Sequence, residues 1–150
     1  MAAEPARIVE VGEKDVTRRE ATAECMLTTT PEAVAALVAG TRKGNPLEAA
    51  RIAGVMGVKR TPDLLPFCHP IAVTGAEVLV EPDEANGTVR VRTTVRANDR
   101  TGVEMEALTA AAVAALSLYD TTKEFDRAAR IDGLRLLAKS GGKSGEYVAD

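Results

Sequence analysis

The chain lacks tryptophan altogether, and aromatic residues make up only 3% of its 150 residues. The four present, Phe67, Tyr119, Phe125 and Tyr147, are too scattered to build the stacking platform of a single-strand nucleic-acid binder. There is no basic excess: 19 Lys and Arg stand against 22 Asp and Glu, a net charge of -3. No nucleic-acid partner is therefore expected, although a few local lysines suffice for a small anion. Cysteine is scarce. Cys25 and Cys68 lie far apart and form no C-x-x-C pair, so free thiols in a reducing compartment are expected. A single histidine, His69, offers too few ligands at fixed spacing for a metal. Long apolar runs are missing too. The longest stretches without a formal charge, Leu64–Ala76 and Ala107–Tyr119, fall short of the roughly 20 residues that span a bilayer. Met1–Arg7 holds no apolar signal core. A cytoplasmic protein with no membrane contact is the expectation.

What the chain does have suits one packed domain over residues 1–150, with 1–6 as a loose tail: 45% hydrophobic and 27% charged residues. Glu13–Glu20 is densely charged and reads as a loop, and Ala21–Thr28 reads as a strand. Thr30-Pro31 and Asn45-Pro46 each pair a capping side chain with a proline suited to the first helical position. The two helices should run over Glu32–Ala39 and from Pro46 to about Gly57. Lys59–Pro70 carries three prolines and is expected to be irregular. Ile71–Val80 reads as a strand and Glu81–Gly87 as a turn. Thr88–Ala97 alternates, with Val89, Val91, Thr93 and Val95 on one face and Arg90, Arg92, Thr94 and Arg96 on the other. A helix is expected over Val103–Ala128, its Ala-rich centre buried against a sheet or a neighbouring subunit, then a strand over Gly133–Lys139 and a Gly-rich end. The order of strand, helices, two strands, helix and strand predicts an α+β, ferredoxin-like split β-α-β fold. Its sheet would be antiparallel, with the helices packed on one face.

Five segments could carry chemistry, and each has a plain structural reading beside it. In Phe67-Cys68-His69-Pro70 the prolines at 66 and 70 fix the backbone around His69, which is either a positioned group or a buried loop histidine. In Thr101-Gly102-Val103-Glu104-Met105-Glu106 the two carboxylates could serve as acid and base. Thr101-x-x-Glu104 equally reads as a capping box. On one helix, carboxylates two residues apart point about 200° away from each other. Both would then face one site only if the helix started after Glu104. Asp120 and Lys123 have the i, i+3 spacing of a common surface pair. Lys139-Ser140-Gly141-Gly142-Lys143-Ser144-Gly145 fails as a P-loop, since its first glycine would fall on Leu137. Its glycines and two lysines could still cradle phosphate oxygens. Lys43 precedes the Asn45-Pro46 helix start, where anions are favoured.

Taken together and in order, Lys43-Gly44, Lys59-Arg60-Thr61, Cys68-His69-Pro70, the run from Thr101 to Thr109, Tyr119-Asp120 and the run from Leu136 to Gly145 resemble the MoaC family. Its members are cyclic pyranopterin monophosphate synthases of molybdenum cofactor biosynthesis. The resemblance extends from about Val9 to Gly145. It implies a lyase that converts 3′,8-cyclo-7,8-dihydro-GTP to cyclic pyranopterin monophosphate with release of pyrophosphate; no cofactor and no metal-ligating residues are expected. By position it implies Asp120, Lys123, Lys43 and Glu104 as catalytic residues, and Phe67, Cys68, His69, Met105, Glu106, Lys139 and Lys143 as substrate-binding ones. It also implies a homohexamer, a trimer of dimers, with sites at subunit interfaces. A non-catalytic nucleotide-binding or scaffold protein of the same fold is the alternative. Phe67 and Asn45 depart from the family's usual Leu and Asp without removing a reacting group.

Overall fold

The computed structural model describes residues 4–150; part of the expected tail, residues 1–3, lies outside the described residues. The elements are β1 (Thr17–Thr28), α1 (Pro31–Ala39), α2 (Pro46–Leu64), β2 (Val73–Asp83), β3 (Thr88–Asp99), α3 (Glu104–Thr122), β4 (Arg130–Ser140) and β5 (Tyr147–Val148). They build an antiparallel sheet in the order β2-β3-β1-β4-β5. The first four strands carry the split β-α-β connectivity, and the fold is α+β as expected.

The strand period of two decides where the core lies. In β1, Ala21, Ala23, Cys25 and Leu27 are buried, and in β3, Val89, Val91, Thr93, Val95 and Ala97. These residues face α3. Cys25 Sγ donates to the Ala111 carbonyl at 3.3 Å, and Thr93 Oγ1 to that of Ala107 at 2.6 Å. The Ala-rich centre of α3 is thus buried against the sheet, and against α2 on its other flank. Gly57 marks the helix contact, since a Cβ there would stand 3.3 Å from Ala110 Cα. The opposite face of the sheet carries charge. Glu24 binds Arg90 at 2.6 Å and Arg135 at 2.9 Å, and Arg96 binds Glu20 at 2.7 Å.

Several boundaries differ from those read in the sequence. The charged run over residues 13–20 is only partly a loop, because β1 starts at Thr17. Helix α2 continues past Gly57 to Leu64, straight through Pro62. That proline removes one donor near the helix end, while Thr61 Oγ1 bonds the Gly57 carbonyl at 2.8 Å and Leu65 N bonds Thr61 O at 3.0 Å. Strand β2 extends to Asp83, which shortens the expected turn. Helix α3 stops at Thr122, not Ala128, and β4 begins three residues early, at Arg130. The Gly-rich segment is followed by β5, whose Tyr147 pairs with Lys139.

Candidate functional site

Local sequence fixes how each segment is presented. At the start of α3 the capping box does not form. Val103 is the cap residue and no side chain caps the helix, so Thr101 and Glu104 are not reciprocal partners. The helix begins at Glu104 itself, yet Glu104 and Glu106 line one cavity. Glu104 achieves this by folding back over Gly102, where a Cβ would overlap its carboxylate. The expectation that a helix starting there would part the two carboxylates is thereby corrected.

That cavity, about 200 Å³, is lined by Phe67, Cys68, His69, Ile71, Thr101, Gly102, Glu104, Met105 and Glu106. Two segments some 35 positions apart in the sequence thus converge on it. Glu106 is only 3% exposed. Burial above all pushes its carboxyl up to about 7; the neighbouring Glu104 and Asp99 charges add to this, and its own backbone N–H opposes it. Burial also raises the Cys68 thiol, as does the Glu106 charge. A larger hollow of about 630 Å³ adjoins, sharing Ile71 and Glu106 and bringing in Val55, Val58, Lys59 and Pro62 from α2.

Lys139 joins this end of α3 from β4. It stands in register with Ala21, on the helix-covered face. Its Nζ lies 3.2 Å from Glu104 Oε1 and donates to Ser144 Oγ at 2.6 Å. Lys143 is exposed in the Gly-rich segment. Sequence reading missed Arg19, which is 7% exposed and donates from Nε to the Asp99 carbonyl at 3.0 Å. A Cβ on Gly142 would overlap its guanidinium. The available signal was its phase: residue 19 continues the inward series 21, 23, 25, 27, where an arginine is unusual. Lys59, on α2, was quoted in the resemblance and given no role, yet it lines the hollow beside Glu106.

The remaining groups gather at the other end of α3. Lys123 Nζ bonds Asp120 Oδ1 at 2.7 Å, with both side chains open to solvent. Lys123, and Lys43 more weakly, hold the Asp120 carboxyl below its usual value, and Asp120 raises the Lys123 ammonium. Lys43 Nζ lies 3.9 Å from Glu124. Its loop leads into α2, whose cap, Asn45, accepts from Leu47 N at 3.1 Å and Glu48 N at 3.2 Å. An Asp would cap in the same way, so that departure is structurally neutral. The departure at Phe67 leaves its ring 58% exposed at the rim of the cavity. The expected site residues therefore fall into two groups, and α3 holds them apart. Fourteen positions at about 1.5 Å each separate Glu106 from Asp120 by roughly 21 Å.

The MoaC family model matches residues 8–142, a span that takes in both groups except Lys143. The chain belongs to the MoaC family. A cyclic pyranopterin monophosphate synthase of Parvibaculum lavamentivorans is 52% identical over 146 residues, 96% of this chain and 91% of that protein. The synthase of Streptomyces griseus is 52% identical over 143 residues, 95% of this chain and 80% of that protein. That of Brucella ovis is 48% identical over 144 residues, with 95% and 87% covered. Among the described residues no group of three or more His, Cys, Asp or Glu could hold a metal ion, and no helix is long and apolar enough to cross a membrane.

Proposed function

We propose that this MoaC-family chain acts as one domain over residues 1–150. It is a cyclic pyranopterin monophosphate synthase of molybdenum cofactor biosynthesis, a lyase that rearranges 3′,8-cyclo-7,8-dihydro-GTP and releases pyrophosphate. The observation that carries this reading is the family match across residues 8–142 in a chain that keeps ionisable groups at both ends of α3.

The chemistry suits those groups. The substrate carries a triphosphate, whose charge Lys139, Lys143 and Lys43 would offset along with that of the departing pyrophosphate. Phe67, Cys68, His69, Met105 and Glu106 would hold the heterocycle in their cavity. Ring opening and closure need several proton transfers. A carboxyl raised to about 7, as in Glu106, exchanges a proton readily at neutral pH. Asp120 and Lys123 would act at the reacting centre, with Lys43 and Glu104 beside the substrate.

One small nucleotide does not span the roughly 21 Å between Glu106 and Asp120 along a helix. The reading therefore joins the N-terminal end of α3 in one protomer to the C-terminal end in another, within a homohexamer built as a trimer of dimers. The exposed apolar side chains of Val38, Ile52, Met56, Leu116 and Phe125 on and beside the helices support such association. The chain would work in the cytoplasm on a small molecule, without nucleic acid or membrane.

The test is product formation from enzymatically made 3′,8-cyclo-7,8-dihydro-GTP, with Asp120→Ala beside the parent. The expected result is cyclic pyranopterin monophosphate and pyrophosphate from the parent and neither from the variant. A folded parent that binds the nucleotide and makes neither product would hand the reading to a nucleotide-binding protein.

A further inference from the structure

One contact in the site has no role in the proposed chemistry. Lys139, assigned to phosphate, is already engaged: Glu104 Oε1 stands 3.2 Å from its Nζ, and both side chains are largely covered, at 22% and 30% exposure. Glu104 is not there to cap α3, because no side chain caps that helix. Its folded-back position depends on Gly102, which alone leaves room for the carboxylate. The surroundings are those of an anion site. Ser144 Oγ accepts from the same Nζ at 2.6 Å. Arg19, 7% exposed, spends one N–H on a carbonyl, and its terminal nitrogens lie against Gly142 with no acceptor among the described residues. Gly141 and Gly142 take positive φ values of 92° and 78°, which turn the chain over that guanidinium.

We propose that Glu104 is an exchangeable stand-in for a phosphate group on Lys139: a phosphoryl oxygen takes over the ammonium, and the carboxylate, already in the wall of the cavity with His69 and Glu106, is released from its ionic partner. Carboxylate and phosphoryl oxygens make the same short charge-assisted bond to an ammonium, so the exchange conserves that bond. It links two events. Engagement of the substrate's phosphates frees the Glu104 carboxylate for the heterocycle, so Glu104 serves the cavity as an unpaired carboxylate only with substrate bound. The competing ion pair also lowers the affinity for free pyrophosphate, which favours product release. This rests on the reading of the substrate as a nucleoside triphosphate derivative.

The test is the binding of inorganic pyrophosphate to the full chain, by calorimetry, for the parent, Glu104→Gln, Lys139→Gln and the double variant, each with its thermal midpoint recorded. Removing the competing carboxylate should tighten pyrophosphate binding by about tenfold, and Lys139→Gln should weaken it by at least as much. The double variant should match Lys139→Gln, because without the ammonium there is nothing to compete for. Binding that is equal or weaker in a folded Glu104→Gln overturns the exchange and leaves the triphosphate reading intact. Pyrophosphate that binds neither the parent nor Glu104→Gln overturns both.

Discussion

The two ends of α3 carry the same residue types in opposite surroundings. At the N-terminal end Glu106 is 3% exposed and pushed up to about 7, chiefly by burial. At the C-terminal end Asp120 and Lys123 pair at 2.7 Å with side chains 64% and 49% exposed, and their charges hold each other ionised. One end is a preformed cavity and the other an open surface pair, of a kind worth little to stability. The lesson is that one helix presents a buried, proton-exchanging carboxyl at one end and an open ionic pair at the other.

The largest effect should come from the end that looks least built. Asp120→Ala, the variant named above, should lower turnover by about 10³-fold or more. Its melting midpoint should stay within about 2 °C of the parent's, since an exposed pair contributes little to folding. Turnover and melting curves on one preparation check both. A fall in stability as severe as the fall in activity would make this end structural and erase the contrast.

The buried end should show itself in stability against pH. The Glu106 carboxyl is raised from 4.5 to about 7 in the folded chain. Between those values the folded state keeps a proton that the unfolded state has lost, so stability is fullest below 4.5 and declines as pH rises to about 7. Glu106→Gln removes this loss. The variant should melt roughly 2–6 °C above the parent at pH 8.5 and close to it near pH 5. Parallel profiles for the two would mean that burial does not control this carboxyl.

A smaller effect is expected away from both ends, on the open face of the sheet. Burial pushes the Glu24 carboxyl up, but hydrogen bonds and charge from Arg90 and Arg135 outweigh it and hold the group below its usual value. Glu24→Gln should cost about 1–2 kcal/mol at pH 7 in a urea titration while leaving turnover unchanged. The difference should fade in acid, as the parent's own carboxylate protonates. A loss of turnover would mean that the charged face takes part in the site.

The contrast also explains what the sequence made legible. Strand β3 could be read because one side chain in two is buried, and the order of the main elements followed from such patterns. Helix α2 was expected to end at about Gly57, ahead of a stretch with three prolines, yet it runs to Leu64 because Pro62, in its last turn, costs only one helical N–H. Strand β5, two residues long, exists only through its pairing with β4. Resemblance named the site residues, and the expected helix over residues 103–128, at about 1.5 Å per residue, is already long enough to part Glu106 from Asp120. Arg19 was hidden in a charged run whose last residues are strand. Its inward phase became visible only once β1 was seen to begin at Thr17.

The claim that the two ends of α3 from different protomers make one site can be tested by mixing damaged chains. One carries His69→Ala and Lys139→Gln, the other Asp120→Ala and Lys123→Ala, and the two are co-expressed with different tags and purified as hybrids. Each variant alone should make no cyclic pyranopterin monophosphate. Hybrids should make it readily, because some junctions then pair an intact N-terminal end with an intact C-terminal end. Hybrids that assemble and stay as inactive as their parents would contradict the shared site.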